Sequence, residues 1–301
     1  VARHIDDYGG ALMSAQVLVP PAANTLPARL ARLGPWALVT GASDGIGAAT
    51  ARALACEGFN LVLVARRKAR LDALAQELTG KHRVSVHTIA ADLGQPDGVA
   101  RMMQDLAQSG VPADAIGVAV LAAGYGTTGA LMGADLAAER DMLRVNCDAV
   151  LQLSHLFARS MASRGAGHLV LFGSIVGFQG NAMTANYAAT KAYVQALAEG
   201  LAVEMRHLGV TVQAVAPGPI ASGFAARAGM TMGPAGKPEV VGRAIVRGLG
   251  RGGTIRPGLL SKVLGYSMAM APRPLRVRIM SRIMTGMTAP KRATGASPQK
   301  V

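Results

Sequence analysis

The chain has only two cysteines, Cys56 and Cys147. That excludes a disulfide-stapled secreted scaffold and a four-cysteine zinc site, and the pair reads as reduced thiols in a cytoplasmic compartment. Aromatic residues are scarce, at 4% with one tryptophan, which leaves little for stacking on single-stranded nucleic acid. No zinc-finger or helix-turn-helix pattern stands out. No apolar run reaches the roughly 18 residues of a membrane-spanning helix. Acidic residues are missing after Glu239, where Arg243, Arg247, Arg251, Arg256, Lys262, Arg273, Arg276, Arg278, Arg282, Lys291, Arg292 and Lys300 all follow. These carry most of the formal charge of +14. Such a stretch would bind polyanions only weakly and lose them as salt rises. What the chain has in quantity is apolar residues, 50% of its 301, enough to bury a core without metal or disulfide. An enzyme is the leading class.

The first 35 residues are irregular, punctuated by Pro20, Pro21, Pro27 and Pro35, and lack the basic start and apolar run of a signal peptide. From Trp36 a regular alternation begins. Strands are expected at Trp36–Thr40, Asn60–Ala65, Val84–Ile89, Ile116–Ala122, His168–Phe172 and Val210–Val215. Between them lie helical patterns near Ile46–Glu57, Lys68–Leu78, Gln95–Gln108, Leu143–Met161 and Thr184–Arg206, with another at Pro238–Leu249. Strands alternating with helices of this length predict a single doubly wound parallel sheet with helices on both faces. The catalytic domain is placed at 36–257, a helical basic extension at 258–288 and a disordered basic tail at 289–301.

Gly41-Ala42-Ser43-Asp44-Gly45-Ile46-Gly47 lies where the first strand hands over to a helix. Glycines there permit a tight turn and close backbone approach, and the helix N-terminus presents amides to a pyrophosphate. At the end of the second strand, where a carboxylate would select NAD, stand Arg66 and Arg67. Arginine pairs with a 2'-phosphate, so NADP(H) is favoured and NAD(H) left open. Asp44 places a negative charge awkwardly near the expected phosphate. Asp92, after the third strand, could accept from the adenine amino group. No metal site is expected.

Tyr187 and Lys191 stand four apart on one helix face. Ser174 follows the fifth strand, and Asn146 lies in the helix after the fourth. Together with Thr40–Gly47 and Pro217-Gly218, their order and spacing resemble the short-chain dehydrogenase/reductase family over residues 36–257, nearest to NADPH-linked steroid and long-chain 3-oxoacyl reductases. The resemblance implies a Rossmann-type fold and a catalytic tetrad of Asn146, Ser174, Tyr187 and Lys191. The cofactor contacts expected are Gly41, Ser43, Asp44, Gly45, Ile46, Gly47, Arg66, Arg67, Asp92, Leu93, Ala123, Gly124, Tyr187, Lys191, Pro217, Gly218, Ile220 and Ser222. In the implied reaction Ser174 and Tyr187 bind a carbonyl oxygen that Tyr187 protonates as hydride arrives. Lys191 lowers the phenol's pKa and holds the ribose, and Asn146 holds a water that replenishes the proton. One departure is that Leu121-Ala122-Ala123-Gly124 stands where the family carries two asparagines, which predicts lower local rigidity. Relatives pair through the helices of Asn146 and Tyr187, and the small residues Ala192, Ala196 and Ala198 suit a homodimer or homotetramer.

A specificity lid is expected over 221–237, apolar at Phe224, Met230 and Met232, with Phe178 and Gln179 lining the same cleft. The lining suits an apolar ketone or aldehyde. Further on, Leu259, Leu260, Val263, Leu264 and Met270 are expected on one helical face with Lys262 and Tyr266 opposite. Leu275, Ile279, Met280, Ile283, Met284 and Met287 form the apolar face of a second helix, which Arg276 interrupts. Such basic amphipathic helices either cap the domain or a neighbouring subunit, or lie peripherally on a membrane. The leading expectation is NADPH-dependent carbonyl reduction by a cytoplasmic enzyme. Alcohol oxidation stays open, as does a different class: an idle scaffold or a basic membrane- or polyanion-binding protein.

Overall fold

The computed structural model describes residues 26–223, 228, 230 and 235–288. Seven parallel strands form one sheet in the order β3-β2-β1-β4-β5-β6-β7. They are β1 Trp36–Thr40, β2 Asn60–Ala65, β3 Val86–Ala90, β4 Ile116–Leu121, β5 Gly167–Phe172, β6 Val210–Val215 and β7 Gly253–Ile255. Every residue of β1, β4 and β5 is buried, as a strand covered on both faces requires. Val39 sits between Leu63 of β2 and Val120 of β4.

The helices divide between the two faces. On one lie α2 (Gly45–Cys56), α3 (Lys68–His82) and α8 (Pro238–Arg247), whose Leu54, Leu71, Leu74, Leu78, Val241 and Ile245 join one core cluster. On the other lie α4 (Gly98–Gln108), α6 (Ala149–Arg164) and α7 (Ala185–Glu204), contributing Met102, Leu106, Leu153, Phe157, Val194 and Ala198. Helices α2 and α8 approach closely because Gly242 has no side chain; a Cβ there would lie 2.7 Å from the Ala49 carbonyl oxygen.

Several boundaries differ from expectation. The segment before Trp36 is not wholly irregular: α1 (Ala28–Ala31) places Leu30 and Leu33 in the core. The helix expected from Leu143 begins earlier, as α5 (Leu136–Leu143), and runs through a π turn at Arg144–Asp148 into α6. The strand β7, three residues long with a glycine in it, carries too little pattern to be read. Helices α9 (Leu259–Ala269) and α10 (Arg273–Thr288) form the C-terminal extension, and they pack over the carboxyl ends of the strands. No helix of the described residues is long and apolar enough to cross a membrane. The tail at 289–301, and most of the leader, lie outside the described residues.

Candidate active site

The chain runs outward through β1, β2 and β3, then returns to place β4 on the other side of β1. Loops leaving β1 and β4 therefore diverge and open a crevice at the carboxyl end of the sheet. A cavity of about 1020 Å³ occupies it.

One half of the cavity is polar and glycine-lined. Gly41 has φ +67°, and a Cβ on it would meet the Ala122–Ala123 peptide at 2.9 Å. A Cβ on Gly47 would overlap the Gly41 carbonyl, so only glycines let this turn close onto β4. Asp44 caps α2, its Oδ1 accepting from Gly45 N at 2.7 Å. Its Oδ2 lies 3.4 Å from Arg67 Nη2 and 3.2 Å from Arg70 Nη1. The awkward charge in the turn is thus matched by two guanidiniums. Arg67 also donates to Ser43 Oγ at 2.9 Å, while Arg66 stands 3.9 Å from Asp92. All six residues line the cavity, as does Leu93. Arg70 escaped the sequence reading, although it follows Arg67 by three residues in the first turn of α3, on the same side of the helix. Asp92 Oδ1 accepts from Gly94 N at 3.1 Å, leaving Oδ2 toward Arg66.

At the crevice floor, Gly173-Ser174 follows β5, and α7 presents Tyr187 and Lys191 to the same space. Burial pushes the Tyr187 phenol well above its ordinary value, while a hydrogen bond with Ser174 pulls it down. Burial also pulls the Lys191 ammonium down to about 8. Its Nζ donates to the Phe172 carbonyl at 2.9 Å and lies 5.9 Å from the Tyr187 ring centroid. The π turn sets Asn146 into a buried position, where Nδ2 donates to Tyr125 O at 2.8 Å and Thr190 Oγ1 at 3.1 Å. Its Oδ1 accepts from Tyr125 N at 3.1 Å. Gly124 faces this group: a Cβ there would stand 3.0 Å from Asn146 Oδ1 and 3.5 Å from Lys191 Nζ. Asn146 itself does not line the cavity, whereas Ser174, Tyr187 and Lys191 do. Where two asparagines are absent, Thr40 Oγ1 accepts from Ala123 N at 3.0 Å and ties β1 to the β4 loop.

The segment from Pro217 to Ser222 passes over the N-terminus of α2, with Pro217, Gly218, Ile220 and Ser222 all on the cavity wall. A Cβ on Gly45 would stand 3.0 Å from Ser222 Cβ. Ser222 Oγ reaches Ile220 O at 3.4 Å.

The other half is apolar. Ile175, Val176, Met280 and Met284 form a buried cluster with Tyr187, Met230, Leu264, Met268 and Met287 against it. Two serines fasten this roof. Ser261 Oγ accepts from Gly218 N at 2.7 Å, and Ser281 Oγ accepts from Ala182 N at 2.9 Å.

Several expectations fail here. Phe178 and Gln179 do not line the cavity; Ile175 and Val176 do. The guanidinium of Arg256 sits 4.8 Å from the Phe178 ring and 5.1 Å from that of Tyr266, turning Phe178 to the outer seam of the cap. Gln179 folds back, donating to Ile175 O at 3.1 Å. On α9 the buried side is Ser261 and Gly265, with Leu264 partly buried, while Tyr266 shares the exposed side with Leu259, Val263 and Met270. Ala198 is buried against the sheet, so only Ala192 and Ala196 face outward. Phe224 and Met232 lie outside the described residues.

A sequence profile described as short chain dehydrogenase matches residues 35–232. A very-long-chain 3-oxoacyl-CoA reductase of Phaeosphaeria nodorum is 33% identical over 189 residues, 60% of this chain and 54% of that one. The chain therefore spans little more than half the length of that relative. A short-chain dehydrogenase of Sphingobium yanoikuyae, solved with NADPH, superposes with TM-score 0.69 at 30% identity, covering 89% of this chain and 98% of that one. The bulky-bulky ketone specific alcohol dehydrogenase of Comamonas testosteroni does so with TM-score 0.66 at 32% identity, covering 79% and 95%.

Proposed function

The chain belongs to the short-chain dehydrogenase family, and from that premise we propose that it reduces an apolar ketone or aldehyde to an alcohol with NADPH, Tyr187 giving the proton. The observation that carries this is the position of the Tyr187 phenol, hydrogen-bonded to Ser174 where the glycine-lined half of the cavity meets the methionine-lined half.

The polar half fits a dinucleotide phosphate. Its glycines leave backbone where any Cβ would intrude, α2 turns its N-terminus toward the cavity, and Ser43, Arg66, Arg67 and Arg70 supply donors for a 2'-phosphate. Bound there, NADPH would supply hydride. Ser174 and Tyr187 hydrogen-bond the substrate oxygen and stabilise the charge that grows on it. Tyr187 then donates its proton as general acid. A phenol raised by burial stays protonated, so its proton is in place, but it is a weaker acid whose phenolate is costly. Lys191 in its charged form lowers that cost. Asn146, bonded to Tyr125 and Thr190, positions the loop and helix around Lys191; the water it would hold completes the proton path to solvent.

The test is loss of NADPH absorbance with a panel of aromatic, steroidal and long-chain 3-oxoacyl ketones. Turnover of one class with NADPH above NADH is expected. Silence with every ketone, together with alcohol-dependent formation of NADPH, would overturn the direction in favour of alcohol oxidation. The localisation that accords with two thiols is cytoplasmic. The assembly proposed is a homodimer or homotetramer through the helices of Asn146 and Tyr187, which expose Leu143, Leu151, Tyr193 and Val203.

A further inference from the structure

Helix α9 is amphipathic the wrong way round for a free surface. Successive residues step about 100° around a helix, so Leu259, Leu260, Val263, Tyr266 and Met270 fall in one stripe. Their exposures are 77%, 41%, 56%, 61% and 88%. The opposite side, with Ser261, Leu264, Gly265 and Met268, is turned inward. A run of large apolar side chains this exposed marks an interaction surface. Leu275, 46% exposed, begins the continuation on α10.

The charge around the stripe identifies its partner. Lys262 is exposed at the stripe's edge, and Arg273 opens α10. Arg278 and Arg282 are exposed and share the outward side of α10 with Leu275. No acidic side chain follows Glu239 in the chain. A second copy meeting this face through a two-fold axis would bring like charges together. An anionic bilayer surface instead accepts both features, apolar side chains at the acyl boundary and cations among the headgroups.

The cavity lies behind the same helix. Leu264 and Met268 line it from the inward side of α9, and Ile279, Met280, Ile283, Met284 and Met287 line it from α10. Ser267 and Ile283 both border the cavity and are exposed, so it opens between the two helices. We infer that the outward face of α9, with the exposed side of α10, docks on an anionic lipid surface and turns this opening toward the membrane. The apolar substrate then enters from the bilayer.

The experiment is flotation of the full chain with vesicles of phosphatidylcholine alone or containing phosphatidylglycerol. Binding to the anionic vesicles only, weakened by salt, is expected. The double variant Val263→Glu/Met270→Glu should lower that binding about tenfold or more, since two inserted side chains and two headgroup-facing charges change together. Both positions are exposed, so circular dichroism and NADPH binding should match the parent chain and exclude misfolding as the cause. Equal flotation of parent and variant would overturn the inference and assign any lipid binding to another basic segment. No flotation of the parent would overturn it too. So would a fall in oligomer size on making the variant, because that would show the stripe covered by a second copy.

Discussion

At the residue scale, the proposed chemistry turns on two groups on one helix face, Lys191 buried and Tyr187 half-buried. Replacing Tyr187 with Phe removes the proton donor while keeping the ring; turnover should fall by about 10²–10⁴-fold, with NADPH affinity in a fluorescence titration nearly unchanged. Lys191 has a pKa lowered from 10.5 to about 8 by burial. Below about 8 the folded chain carries a buried charge, whereas the unfolded chain carries a solvated one. Between about 8 and 10.5 the unfolded state binds more protons, so this group's contribution makes stability rise with pH there. Lys191→Met should therefore stabilise the ligand-free protein by roughly 1–3 kcal/mol near neutrality, after allowance for the lost bond to Phe172. Urea titrations should show that gain shrinking toward pH 10. Catalysis runs the other way, since the charged lysine is the useful one: reduction by the parent enzyme should decline as pH rises through about 8. Arg67→Ala should weaken NADPH by about tenfold or more, the range of a charged hydrogen bond, and leave NADH nearly untouched. Equal losses for both cofactors in calorimetric titration would remove Arg67 from 2'-phosphate recognition.

Elements differ in how plainly the sequence announces them. β1, β2 and β6 were legible to the residue, because each is a short apolar run between turn residues. The helix from Lys68 was legible as far as Leu78, from Leu71, Leu74 and Leu78 at helical spacing, though it runs on to His82. The start of α5 was not, since Leu136-Ala-Ala-Glu-Arg carries little apolar period. The glycine turn, Ser174, Tyr187 and Lys191 were singled out by local order and spacing, and the structure brings them to one cavity. Asn146 was legible as a residue, but the π turn that aims it was not. What covers the site depends on contacts between segments far apart in the chain, which no local pattern encodes. Phe178 was misplaced because its partner, Arg256, arrives from beyond β7. On α9 the spacing put Leu264 in the apolar stripe and Tyr266 opposite, whereas Leu264 turns inward and Tyr266 outward, because apolar spacing states amphipathy and not which side is wet. At this scale the roof is the element to probe. Met284, buried over the cavity, sets its depth, and Met284→Trp should lower kcat/KM for bulky ketones at least about tenfold while small aldehydes are spared. Loss for both alike would mean that Met284 supports folding and not selection.

For the molecule as a whole, the parts divide along the chain. The dinucleotide-type half is built from β1 through β4 and their helices, and the groups proposed to react come from the end of β5 and from α7. The wall over the apolar half comes last, from α9 and α10, held by the Ser261–Gly218 and Ser281–Ala182 bonds. That order has a consequence for biogenesis. Chains emerge N-terminus first, and domains fold as their segments appear. The sheet through β6 is complete once Val215 is out, but Ile175 and Val176 wait for Met280 and Met284 to emerge before they are covered. During synthesis the nascent protein thus passes through a stage with its nucleotide half assembled and its apolar chamber unroofed. A ribosome stalled in that interval would display a sticky, half-enclosed cleft, the kind of surface that a chaperone holds until translation resumes.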